Sequence, residues 1–210
     1  GMIKGKDENF DDPKVCEEVR KTHHERILKY ISEHWKELSL SSEPEALLLA
    51  NICWAHSSKV KLSDLKEKEK ILVGENVEEV RTRFLGALLR LADALDAGKD
   101  RLPPMNYRDH PEIPESTHKE YWKHEIVDLV KIKDGNIILQ MSVKHGYPVD
   151  VVKGVKKKLN EELESVKGVL GEYGINLKFD FLVIESAVKT ELSQKKLEVS
   201  SYEPRKLSGN

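Results

Sequence analysis

The sequence predicts an α+β protein in which an all-helical bundle precedes a small strand-strand-helix-strand unit. Three observations carry this reading. Apolar residues recur at spacings of three and four through Ala97, as on one face of a helix. A stretch holding Pro103, Pro104, Pro111 and Pro114 then interrupts the chain, because proline restricts the backbone and removes a donor. Beyond it the apolar period falls to two, at Ile137, Leu139, Met141 and Val143 and again at Leu177, Phe179, Phe181 and Val183. The expected units are a helical domain over 12–105, an α+β domain over 119–188 and a polar tail over 189–210.

Asp12-Pro13 opens the first helix, with Asp as a cap and Pro in the first turn. Its stripe runs through Cys16, Val19, His24, Ile27, Leu28, Ile31 and Trp35, which sets His23 about 100° away from the core-facing line. Ser42-Glu43-Pro44-Glu45 reads as a capping box for the run Ala46 to His56, broken only by Asn51, and this helix is expected at the centre of the bundle. Residues 57–76 read as a polar connection with a short helical piece from Ser63 to Ile71. A long helix is expected from Val77 to Ala97, closed by Gly98. Residues 99–118 read as a loop, and Ile126 to Ile132 as a strand. Asp134-Gly135 is a hairpin turn signal. Val152, Val155, Leu159, Leu163, Val166, Leu170 and Tyr173 mark an amphipathic helix closed by Gly174.

The chain of 210 residues is long enough to bury a sizeable core. Its net charge is −2 with 34% charged residues, a balance that argues against a nucleic-acid or membrane-surface protein. No apolar run approaches the ~20 residues that span a bilayer, and no signal peptide is visible. The two cysteines, Cys16 and Cys53, lie in helical patterns far apart and read as buried free thiols. Gly1 before Met2 resembles a cleavage scar. These features together predict a cytoplasmic protein.

Chemistry concentrates in Leu85-Gly86-Ala87-Leu88-Leu89-Arg90-Leu91-Ala92-Asp93-Ala94-Leu95-Asp96. Asp93 on such an apolar helix is expected to be part-buried, and a buried carboxylate needs a partner. His24 and His56, from two other core helices, are the candidate partners. Two imidazoles and a carboxylate suit a divalent metal, with Mn, Zn, Fe and Co the natural choices and Mg a further one. Such an ion lowers the pKa of bound water toward 7. Arg26 and Arg90 are candidate phosphate contacts, since a guanidinium offers paired donors. A plainer assignment stands beside each. His24 reads equally as a hydrogen-bonded core histidine, His56 as a partner of its helix dipole, and Asp93 as an ion-pair partner of Arg20, Arg26 or Arg83. Asp96 and Arg101 read as a local ion pair. His34, His110, His118, His124 and His145 read as surface residues.

Three segments, Arg20-x-x-His23-His24-Glu25-Arg26, then Ala50-Asn51-Ile52-Cys53-Trp54-Ala55-His56-Ser57, then Val80 to Asp96, together resemble the HD superfamily of metal-dependent phosphohydrolases. The likeness covers about residues 12–105 and is nearest to HD modules of exopolyphosphatase-type proteins and those beside Hsp90-like ATPase domains. It implies a helical bundle, a metal site at His24, His56 and Asp93, and hydrolysis of a nucleotide or other phosphate ester. The chain departs from the family in having no His-Asp dipeptide. In one register His24 is the first family ligand and His56-Ser57 replaces the pair. In the other, favoured here, the segment with the pair lay upstream and is missing, and His24 and His56 match the accessory histidines of members with extra ligands. Either register leaves an incomplete site. The resemblance therefore implies a phosphohydrolase-like protein that acts on or binds a phosphate ester. The alternative is an inactive module that binds a ligand or a protein in signalling, with no metal at all. Expected partners are the phosphate ester, a second copy of the chain, or an ATPase-domain protein.

Overall fold

A computed structural model describes residues 13–73, 75–102, 113, 115–144 and 149–186. The expected N-cap Asp12, the thiol of Cys16, His110, His145 and the tail from 189 lie outside the described residues and side chains. Among the described residues the architecture is mixed α+β, with helices leading and a three-stranded sheet toward the C-terminus.

Helix α1 (Pro13–His34) packs against α2 (Glu43–Trp54). Between them Ile31, Ala46 and Ala50 are buried, ringed by Ile27, Leu28, Trp35, Leu40, Leu49 and Cys53. Ser42 caps α2 by accepting from the Glu45 amide at 3.3 Å, while the Glu45 carboxylate accepts from the Ser41 amide at 2.7 Å. The returning bond of the expected capping box thus reaches one residue further back. Only one side of α2 is buried: Leu48 is covered, but Leu47 is 53% exposed. Cys53 is a free thiol, and burial raises its pKa.

The connection after α2 differs from the expected loop with a helical piece. A short 3-10 turn at Leu62–Asp64 leads into an antiparallel hairpin, β1 (Glu69–Val73) and β2 (Asn76–Val80). Val77 and Val80, read from sequence as the start of a long helix, pair instead with Leu72 and Glu69. Their branched side chains suit an extended backbone. Helix α3 therefore starts later and ends earlier than expected, at Thr82–Leu95. Its last turn closes with the Asp96 amide on the Ala92 carbonyl, and Gly98 keeps φ −73°, so it is no left-handed cap. Gly86 lets α3 approach the 3-10 turn: a Cβ there would lie 2.7 Å from Leu65 Cδ1.

The region expected as a loop to residue 118 contains the start of helix α4 (Glu115–Ile126), and strand β3 (Val127–Lys133) follows directly. Thr117 of α4 is buried and accepts from Arg20 of α1 at 2.9 Å. Strands β3 and β4 (Asn136–Lys144) form the expected hairpin, with positive φ at Asp134 and Gly135 (50° and 76°) as a type I′ turn requires. Helix α5 (Val149–Glu172) crosses over to β5 (Lys178–Ser186), which lies parallel to β4. Its C-terminus is a Schellman motif, with Ile175 N donating to Leu170 O, Gly174 N to Gly171 O, and Gly174 at φ 74°. The strand-strand-helix-strand order read from sequence stands.

One apolar cluster joins the two parts of the chain. It takes Ala55, Leu62, Leu65, Ala87 and Leu91 from the bundle, and Ile126, Ile137, Leu139, Met141, Leu159, Leu163 and Val166 from the remainder. Helix α5 packs on α3 as well as on the sheet, which brings polar groups of α5 to the end of α2. Among the described residues no helix is long and apolar enough to cross a membrane.

Candidate functional site

Three histidines gather where α1 meets the end of α2. His23 Nε2 lies 2.8 Å from His56 Nε2, with ring centroids 4.9 Å apart. His24 stands edge-on to His23 at 5.8 Å between centroids. Both rings of the close pair are oriented by their own helices. His23 Nδ1 contacts the Arg20 carbonyl three residues back, and His56 Nδ1 contacts the Cys53 carbonyl three residues back. A carbonyl only accepts, so each Nδ1 donates. With both rings neutral, two Nε2 lone pairs would then point at each other. Something positive must sit between them, either a shared proton or a cation. Metal–nitrogen bonds of about 2.0–2.1 Å to donors this close would subtend roughly a right angle, as neighbouring ligands of an octahedral ion do.

His24 is 4% exposed, and its Nδ1 is buried with no hydrogen-bond partner. Burial lowers its pKa, Glu25 opposes that shift, and the charges of Lys59, His23 and His56 reinforce it. The ring is therefore neutral near pH 7, and its buried nitrogen is an unspent polar atom beside the pair.

Of the three metal candidates read from sequence, His24 and His56 come together, and His23 stands with them. Asp93 is exposed on α3 rather than part-buried. It acts on the Glu162 carboxyl of α5, which also lies beside Ser58 in the turn after His56. Among the described residues no set of three or more His, Cys, Asp or Glu side chains has an arrangement that could hold a metal ion.

The two phosphate candidates have separated. Arg26 Nε donates to Thr22 Oγ1 at 3.0 Å on the half-exposed side of α1. Arg90 is 3% exposed and donates to the carbonyls of Ala55, Ser57 and Val60 at 2.6–3.1 Å. That corrects the expected phosphate contact: this guanidinium closes the C-terminal end of α2, where unsatisfied carbonyls and the helix dipole favour a cation. Asp96 and Arg101 form the local ion pair expected of them, at 2.7 Å.

Two residues escaped the sequence reading. His23 was set off the core stripe, yet its ring folds back on its own helix and so reaches α2. Glu162 falls between Leu159 and Leu163 on the buried stripe of α5, and a carboxylate in that position was the available signal. Burial raises its pKa, although Arg90, Lys158 and Ser58 favour the ionised form. One of its oxygens, Oε2, is buried without a partner.

A family model described as HD-CE matches residues 3–173 of the 210. The match runs through the proline-rich stretch and ends just after α5. No curated protein and no solved structure matches the chain.

Proposed function

The chain belongs to the HD-CE family, and from that premise we propose that it is an HD-like, phosphohydrolase-type module in which His23 and His56 supply two nitrogens to one divalent ion for a nucleotide or other phosphate ester. The observation that carries this reading is the facing Nε2 pair of His23 and His56 at 2.8 Å, each ring held by a carbonyl on its other nitrogen. This is the second-shell orientation that metal-binding imidazoles need. Manganese, zinc, iron or cobalt fits the imidazole donors, whereas magnesium, the further choice, prefers oxygen ligands and fits them poorly. When bound, the ion would supply a Lewis acid and a water of lowered pKa.

The chain's own residues have distinct parts in this scheme. His23 and His56 bind. His24 stands beside them as a neutral ring with an unpartnered buried Nδ1. Asp93 stays exposed on α3, with its carboxylate beside that of Glu162, and is given no part in binding the ion. Arg26 supplies a guanidinium to the phosphate from the half-exposed side of α1. Arg90 fixes the turn that carries His56.

A second reading, a non-catalytic module that binds a ligand or a protein partner, draws on the missing His-Asp pair and on the exposure of Asp93. The test separates the two. Protein stripped of metal and titrated with Mn²⁺ or Co²⁺ should take up one ion per chain by calorimetry, with a cobalt d–d spectrum. His23→Ala and His56→Ala should each weaken that affinity at least tenfold, the scale on which ligand shells are felt. Metal-dependent cleavage of bis-p-nitrophenyl phosphate, lost in the same variants, supports the hydrolase. Metal uptake without cleavage supports the binding module. Absence of uptake at the histidines overturns the metal centre.

A further inference from the structure

We propose that the chain forms a weak homodimer through the outer face of its three-stranded sheet. The inner face is settled, because Ile137, Leu139 and Met141 are fully buried and Phe179, Phe181 and Val183 pack on the same core as α5. Strand residues alternate between faces, so the neighbours of these residues look outward. Register aligns them in rows. One row is Lys131, Ile138 and Asp180; the next is Leu129, Gln140 and Leu182; the third holds Ser142 and Ile184. Leu129 is 49% exposed, and Leu182 and Ile184 are each 42% exposed. Three large apolar side chains on one short sheet face make a patch that water penalises.

The charges name the occupant. Lys131 stands on the β3 edge and Asp180 on the β5 edge, one on each side of Ile138 on the central strand. A two-fold axis running along β4, midway between two stacked sheets, carries β3 of one copy over β5 of the other. It sets Lys131 against the partner's Asp180 twice over, and Leu129 against the partner's Leu182 twice over. Ile138 meets its own counterpart on the axis. Such a self-complementary patch is what an isologous contact requires, and aligned sheets about 10 Å apart are an established packing. Two features mark the rim. Lys133 would approach the partner's Lys178 at the hairpin end, where long side chains splay into water and salt screens repulsion. At the opposite end the third row meets Asp128, already paired with Lys99. One seven-residue and two nine-residue strands present only about 400 Å². A standard interface needs about 800 Å² per partner, so the dimer is expected to be concentration-dependent.

Sedimentation velocity from micromolar to near-millimolar loading tests this on the full chain. A shift from the 24.0 kDa monomer toward twice that mass is expected. Lys131→Asp and Asp180→Lys should each weaken association at least tenfold, and the double charge swap should restore it. Ile138→Cys, too far from its counterpart for a direct disulfide, should be joined across the interface by a bismaleimide that spans about 10 Å, with Leu72→Cys on the exposed β1–β2 hairpin and the wild type, which keeps Cys16 and Cys53, as controls. A monomer at every concentration overturns the proposal and leaves the face to residues 187–210 or to another partner. A dimer indifferent to both charge reversals, or linked at Leu72→Cys rather than Ile138→Cys, overturns it as well. None of these outcomes depends on the metal reading.

Discussion

Arg90 shows how much one side chain decides. Its guanidinium meets three carbonyls, Ala55, Ser57 and Val60, at the end of α2. A methionine of similar length would strand those acceptors in the core, and buried polar groups without partners cost about 1–3 kcal/mol each. Arg90→Met is therefore expected to lower unfolding free energy by about 3 kcal/mol in urea titrations. A loss below about 1 kcal/mol would mean that water replaces the guanidinium. Glu162, its neighbour, supplies a pH signature. Burial raises its carboxyl pKa despite the attraction of Arg90. A raised pKa means that the stabilising contribution is complete below the ordinary carboxylate range and is lost as pH climbs through the raised value. Glu162→Gln should accordingly gain on the wild type as pH rises above the ordinary carboxylate range. A variant that instead falls behind the wild type at neutral pH would show that the Arg90 attraction outweighs burial. The role of Arg90 was not legible in sequence, because backbone carbonyls leave no spacing pattern, whereas Glu162 stood out as a carboxylate on the apolar stripe of α5 and only its partner on α3 was hidden. The approach of α1 and α2 with their histidines was legible from their apolar stripes, but Asp93, expected in the same cluster, stays exposed on α3.

At the scale of elements, local signals served well where the chain itself determines conformation. Ser42 capped α2, Asp134-Gly135 turned the hairpin, and Gly174 closed α5. They failed where pairing decides. Val77 to Val80 continue an apolar pattern into α3, and only the β1 partner makes them a strand. Helix α4 has an almost wholly polar sequence, and its burial comes from contacts at Thr117 and Ile126. Two glycines allow a matched experiment. Gly135 and Gly174 share a left-handed φ, 76° and 74°. A Cβ on Gly135 would lie 3.2 Å from the Asn176 carbonyl oxygen, whereas one on Gly174 meets nothing within 4 Å. Gly174→Ala should cost about 1 kcal/mol for conformation alone. Gly135→Ala should cost more, about 2 kcal/mol, because its neighbour is backbone and yields little. Equal losses in thermal unfolding would mean that the 175–177 connection moves aside freely.

Across the whole molecule, the composition shift near the prolines marks a change of architecture, but the apolar cluster crosses it. Sequence periodicity reports which face of each element is buried and is silent about which element covers it. Leu163 of α5 is 5% exposed in the cluster that also holds Ala55 and Leu91. Leu163→Ala is expected to cost about 2–5 kcal/mol and to reduce hydrogen-exchange protection in α2 along with that in β4. Protection lost in β4 while α2 stays unchanged would instead show that the two parts open independently. The histidine pair has a mechanical consequence of its own. His23 and His56 are 33 residues apart in sequence, and each ring is pinned to its own helix. Their separation is thus a ruler for the docking of α1 on α2. An ion shared between them would rivet the two helices, and at a hundred times its dissociation constant that rivet is worth about 2.7 kcal/mol. Metal supply would then set how firmly the bundle is fastened, whether or not any phosphate is ever cleaved.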